Sequence, residues 1–187
     1  MNWKGIFFIS VIAYAGYQHF NRNDSSQFFA NHTVDGLVEV NGYQITPLQP
    51  FEMQARILSA KSYSHDQESD LVPIDLALGW GPMADLNVTN KITITQSNRW
   101  YHWHVDTLPI ARREIETHSA NMHLIPATPE IAQAIQSAKE GSMIEFEGDL
   151  VEVRSVEKNW HWKSSLTRKD TGAGACELIL VTSFRQL

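Results

Sequence analysis

The chain opens on an uncharged apolar run, Gly5 to Tyr17 (GIFFISVIAYAGY), and after it the hydrophobic positions come in short alternating stretches. Alternation at period two is the mark of half-buried strands. Leu37-Val38-Glu39-Val40 and Tyr43-Gln44-Ile45 flank Asn41-Gly42, a favoured dipeptide for a type I′ hairpin turn. Phe51, Met53, Ala55 and Ile57 alternate with polar residues and predict a long strand toward Tyr63, ahead of a polar turn at His65 to Asp70. Leu71 to Met83 is apolar but interrupted by Pro73, Gly79, Gly81 and Pro82, so it reads as a packed loop with a short turn of helix. Ile92 and Ile94 alternate with Lys91, Thr93 and Thr95, in a strand that extends through Arg99 to Val105.

One helix is predicted. Thr128 suits the N-cap, Pro129 the first helical position and Glu130 the first turn. Ile131, Ile135 and Ala138 form its apolar stripe, and Gly141 supplies the stop. Met143 to Arg154 reads as one long bent strand. Ile144 and Phe146 point one way, but after Gly148-Asp149 the inward set becomes Val151 and Val153. That change of parity predicts a bulge or sharp coil at Gly148. Cys176 to Phe184 is apolar on both parities, as a central strand covered on both faces would be. Many short strands, one helix and a kinked strand predict a mainly β (α+β) domain, either a small curved sheet or an OB-like (oligonucleotide/oligosaccharide-binding) β-barrel. Fold at that level does not fix function.

The N-terminal run has a different meaning. From Trp3 to Phe20 it spans about 18 residues, the lower limit for a transmembrane helix. Trp3 and Tyr17 stand where interfacial aromatics belong, and Lys4 with the amino terminus favours a cytoplasmic N-terminus and an exported domain. Arg22 on the far side weakens that bias. Ala13-Tyr14-Ala15 offers a rival reading as a signal-peptide cleavage site, although the apolar run ahead of it is short. A buried core helix is the third reading. The retained anchor is preferred, and it divides the chain into a membrane anchor over residues 1–20, a polar linker over 21–33 and a soluble β-rich domain over 34–187. A bacterial inner-membrane protein with a periplasmic domain is the expected setting.

Composition narrows the partners. A net charge of −6 argues against nucleic acid, which requires a basic stripe. The one basic cluster, Lys163, Arg168 and Lys169, stands beside Asp170 and Glu177. Cys176 is the single cysteine, so no disulfide framework is available and the redox compartment is not marked. The glycine spacing at Thr171-Gly172-Ala173-Gly174 matches neither a phosphate loop nor a dinucleotide fingerprint, and no cofactor is expected. Asn31-His32-Thr33 and Asn87-Val88-Thr89 match the glycosylation sequon, a pattern that arises by chance and carries no weight here.

Candidate chemistry gathers in Trp160 to Glu177 (WHWKSSLTRKDTGAGACE). The glycine-rich turn reads as a backbone-lined pocket with Arg168 as an anion clamp oriented by Asp170, or as the tight turn of a β-hairpin with Arg168 and Asp170 paired on the surface. His102 and His104 project from one strand face with Trp100, as paired imidazoles facing a metal would, with His118 or His123 to complete the site. Without metal they are interfacial residues of an aromatic-rich face, which is the preferred reading. A hydrolase constellation can also be written, with Cys176 or Ser165 as nucleophile, His123 as base and Asp170 or Asn121 as orienter. A buried, inert thiol is the ordinary state of a cysteine that begins an apolar strand.

The stretch Trp160 to Glu177, together with Asp75 to Gly81 (DLALGWG) and Arg99 to Trp103 (RWYHW), resembles a group of short bacterial proteins that begin with a membrane segment. The resemblance covers most of the chain after residue 50. It implies a bacterial membrane-anchored domain and carries no activity with it. The expected function is therefore a membrane-anchored module that binds a protein or small-molecule partner through Trp100, Trp103, Trp160, Trp162 and Arg168. The alternative is an anchored hydrolase or metal-dependent enzyme using the His, Arg, Asp and Cys residues above.

Overall fold

The computed structural model describes residues 33–34, 37–155, 157–167 and 176–187, and over them the protein is mainly β. The anchor, residues 21–32 of the linker, and Arg168 and Asp170 in the glycine-rich turn lie outside the described residues. No helix among the described residues is long and apolar enough to cross a membrane. The strands are β1 Thr33–Val34, β2 Leu37–Val40, β3 Tyr43–Ser62, β4 Ile74–Gly79, β5 Thr93–Ser97, β6 Trp100–His104, β7 Ser119–Pro126, β8 Met143–Ser155, β9 Trp160–Lys163 and β10 Glu177–Gln186. The helices are α1 Leu86–Thr89, α2 Arg112–Thr117 and α3 Pro129–Ser137, with 3-10 turns at Gln67–Asp70 and Gly81–Ala84.

Eight strands form one large curved sheet in the order β1-β2-β3-β4-β7-β10-β8-β9, and β3 also pairs with β8. The ladders β3–β4, β4–β7, β7–β10, β10–β8 and β8–β3 therefore return to their starting strand. Of these only β7–β10 is parallel. β5 and β6 make a separate hairpin. One core gathers Ala55, Ile57, Leu76, Leu78, Met122, Leu124, Phe146, Ile179 and Val181, with Ile135 of α3 packed on it. A second gathers Tyr43, Ile45, Ile125, Val151, Val153, Leu178 and Leu180. Alternate residues of β10 thus feed opposite cores, which is why its sequence is apolar on both parities.

Several expected elements stand as read. Val40 pairs with Tyr43 across Asn41 and Gly42, whose φ values of 52° and 76° are those of a type I′ turn. Thr128 caps α3 by accepting from the Ile131 N–H at 3.3 Å. β10 is central, between β7 and β8, and buried from Glu177 to Val181.

Others are corrected. Three helices are present among the described residues instead of one, because α1 and α2 are short turns without a long apolar stripe. Α3 ends at Ser137, since Ala138 is already extended at ψ 136°, and Gly141 (φ 83°) instead turns the chain into β8. Within Leu71 to Met83, Ile74–Gly79 is strand β4 rather than loop, buried on both faces and so without alternation, while the short turn of helix stands as the 3-10 turn at Gly81–Ala84. The single strand expected through Arg99 is a hairpin that reverses at Asn98 and Arg99, with φ of 52° and 66°. Among the described residues β9 pairs with β8 and not with β10, and the glycine-rich turn between them lies outside the described residues. The bulges lie in the partners of β8. Register shifts fall between Pro47 and Gln49 in β3 and between Val181 and Ser183 in β10, opposite Gly148. A Cβ at Gly148 would stand 2.0 Å from the Leu180 carbonyl oxygen, so glycine is what lets β10 approach.

Candidate functional site

Asp75 of β4 and His123 of β7 are direct partners in an antiparallel ladder, so their side chains leave the sheet together on one face. That face is opposite the one on which Leu76, Met122 and Leu124 fill the first core. Asp75 is fully buried and His123 is 2% exposed. An isolated carboxylate at such depth is very costly, so partners are required. His123 Nδ1 lies 2.9 Å from Asp75 Oδ1, Arg99 Nη1 donates to the same oxygen at 2.7 Å, and Asn121 Nδ2 donates to Oδ2 at 3.1 Å.

Arg99 reaches the site from the tip of the β5–β6 hairpin. Its Nε and Nη2 donate to both Asp66 oxygens at 2.9 and 2.6 Å, and Nη1 also donates to the Val72 carbonyl at 2.8 Å. The guanidinium lies over the Tyr63 ring, 4.0 Å from its centre. The backbone is held as well: the Arg99 N–H donates to Tyr63 Oη at 3.2 Å, and its carbonyl accepts from Asn121 Nδ2 at 3.0 Å. Burial disfavours the Arg99 cation, but the Asp66 hydrogen bonds and the Asp75 charge outweigh it and raise its pKa. The Arg99 hydrogen bonds in turn lower the Asp66 pKa, and burial raises that of Tyr63.

Two further inward residues of the hairpin complete the closure. Gln96 Nε2 donates to Asn121 Oδ1 at 2.6 Å, and Tyr101 Oη meets the Ser119 hydroxyl at 3.0 Å. From the other side Trp162 covers the His123 ring, with centroids 4.7 Å apart. The result is a roofed polar cluster in which one guanidinium joins two carboxylates. Among the described residues no hydrogen bond to His123 Nε2 is made.

The residues singled out from the sequence distribute as follows. Trp100, His102 and His104 do share one face, the solvent side of the hairpin, and Trp100 is 41% exposed. His102 Nε2 lies 3.4 Å from Ser97 Oγ, and His104 Nε2 lies 3.6 Å from Asp106 Oδ1. His118 turns elsewhere, toward the Glu114 carbonyl and the Trp80 ring. No group of three or more His, Cys, Asp or Glu side chains able to hold a metal gathers among the described residues. Trp103 is half-buried on the opposite side of the hairpin, with Arg112 4.9 Å over its ring. Trp160 and Trp162 pack edge to face at 5.8 Å, and Trp160 meets Tyr43 in the same way at 5.6 Å. The four tryptophans therefore do not share one surface.

Cys176 is half-buried at the head of β10, where its carbonyl accepts from the Ser165 N–H at 3.1 Å. Ser165 spends its hydroxyl on Thr167, donating to the carbonyl at 2.8 Å. Lys163 extends toward Glu152, which Arg154 and His161 already hold, and the Arg154 hydrogen bond foremost lowers the Glu152 pKa. Asp75, Arg99, Asp66 and Tyr63 were missed as site residues. A usable signal existed for one of them: Asp75 is the lone charge inside the apolar run Leu71 to Met83. A charge in such a run, once buried, demands a partner. No protein-family model matches the chain, and no curated protein matches its sequence.

Proposed function

We propose that this protein is a membrane-anchored binding module of the bacterial envelope, held in the inner membrane by residues 3–20 with an OB-type β-barrel domain in the periplasm. The ring of ladders carries the barrel reading. Its five strands, β3, β4, β7, β8 and β10, pair in the order first, second, third, fifth, fourth, and back to the first. The third and fifth are parallel, and α3 joins the third to the fourth. In barrels of this type the outer face of the second and third strands, with the flanking connections, holds the ligand. Here that face carries Asp75, Asn121 and His123, and the Arg99 hairpin roofs it. The surface left for a partner is the hairpin's solvent side, with Trp100, His102 and His104.

Two measurements test this. The full chain should sediment with membranes, and a version starting near Asn23 should not; equal solubility of the two discards the anchor. A photo-cross-linking amino acid at position 100 in cells should give a discrete adduct that the same residue at Glu145 does not. Indistinguishable adduct patterns discard the hairpin surface.

A second reading has one observation in its favour. The 2.9 Å contact of Asp75 with His123 supplies the oriented imidazole that nucleophilic hydrolysis needs, in place of the Asp170 or Asn121 expected from sequence. Under it, the full chain hydrolyses p-nitrophenyl esters, and Cys176→Ala abolishes turnover without lowering Tm. Absence of turnover by the unsubstituted protein discards it. The roof over His123 favours the binding module.

A further inference from the structure

A pocket of about 220 Å3 lies away from the polar cluster, where α1, the approach to β5 and the Glu140–Gly141 turn meet β3. Its apolar lining comes from Ile57, Leu58, Leu86, Ile92 and Ile94. Leu86 on the rim is 45% exposed, an apolar side chain that an occupant would cover. One cation lines the same pocket. Arg56 donates through Nε to the Ala84 carbonyl at 2.6 Å and through Nη1 to the Gly141 carbonyl. Those two bonds fix the guanidinium plane and leave other N–H groups unused. Unlike Arg99, which holds two carboxylates, Arg56 has no carboxylate partner among the described residues. Glu140, the acidic residue on the rim, is exposed and makes no ion pair with it.

A half-buried guanidinium without a counter-charge, beside an apolar floor, suits an amphiphilic anion. We propose that this pocket binds a small monocarboxylate with a short aliphatic body, its carboxylate on Arg56 and its chain against Leu86, Ile92 and Ile94. The planar fork of arginine matches a carboxylate. The Glu140 charge on the rim disfavours a dianion such as phosphate. The volume accommodates roughly six to eight carbons, counting about 30 Å3 for each displaced water.

The test is a titration of hexanoate into the full chain carrying 13C-labelled isoleucine and leucine methyl groups. Saturable shifts are expected at Leu86, Ile92 and Ile94 with a Kd in the millimolar range, and at least about tenfold weaker binding of hexan-1-ol and of inorganic phosphate. Arg56→Gln should abolish saturation. If that variant fails to fold, Leu86→Asp, a change on the exposed rim, should weaken hexanoate at least about tenfold. No saturable shift, equal binding of hexan-1-ol, or unchanged affinity in the folded variant would overturn the proposal. Saturation by phosphate in preference to hexanoate would overturn the carboxylate assignment.

Discussion

At Arg99 two opposing effects meet. A left-handed backbone at a residue with a Cβ costs about 1–2 kcal/mol, yet φ is 66° here. The side chain offsets that strain, because its guanidinium compensates Asp75, whose carboxylate is fully buried, and Asp66. Breaking one member of a buried ion network costs about 3–5 kcal/mol, since the other charge is left without compensation. Arg99→Ala keeps the strained turn and loses the network, whereas Arg99→Gly loses the network and relieves the turn. Both are expected to lower unfolding stability in urea by about 3 kcal/mol or more, with the glycine variant about 1 kcal/mol the less damaged. Equal stability of the two would mean that the turn relaxes without the guanidinium.

Tyr101 provides a pH test at the same scale. Burial, foremost, raises its pKa above the ordinary value of 10.0. A group with a raised folded pKa stabilises fully below its unfolded pKa and loses that contribution as pH rises through the folded one. The stability difference between the unsubstituted protein and Tyr101→Phe should therefore narrow between about pH 9 and pH 11. Urea midpoints at both pH values measure it, and a constant difference would place the Tyr101 hydroxyl in water.

Among the elements, those marked by a local signal or an unbroken apolar run, such as β10, were legible, and those interrupted by Pro and Gly or turned by tertiary contacts were not. The β2–β3 turn was readable because Asn-Gly is a local signal, and α3 because its cap and stripe are local too. β4 was hidden: with both faces buried its residues do not alternate, and the flanking Pro and Gly suggest a loop. The β5–β6 reversal was hidden because Asn98-Arg99 is a poor match to the favoured turn dipeptides and is held by tertiary bonds. Gly148 was noticed, but its reason lies in another strand. Gly148→Ala would place a Cβ 2.0 Å from the Leu180 oxygen, which is backbone and cannot rotate away. The expected loss is about 3 kcal/mol, at the severe end of overpacking. Gly42→Ala meets open space and should cost only about 1 kcal/mol, from its positive φ. Similar losses, read from chemical denaturation of both variants, would contradict the close approach of β10 to β8.

Across the whole molecule, the polar cluster is assembled from residues far apart in the chain: Asp66, Asp75, Arg99 and His123. The outward face of the same hairpin contributes little to stability, so Trp100→Ala should change it by no more than about 0.5 kcal/mol while removing the adducts of a photo-cross-linking residue placed at position 102 on that face. A large stability loss would make Trp100 a packing residue. The sequence by itself determined the mainly β class, the first turn, the capped helix and the central last strand. These follow from periodicity and from signals within a few residues of one another. It also determined that Trp100, His102 and His104 share a face, because strand geometry alone sets that. Only the tertiary structure decided which strand each ladder joins, that His123 is oriented by Asp75, that Trp162 covers it, and that Arg99 closes the cluster. Those contacts join residues tens of positions apart, and no local pattern encodes which of several buried polar groups a given charge will meet. The apolar segment at residues 3–20 remains a reading from sequence, grounded in length and hydrophobicity, the two properties that a bilayer selects.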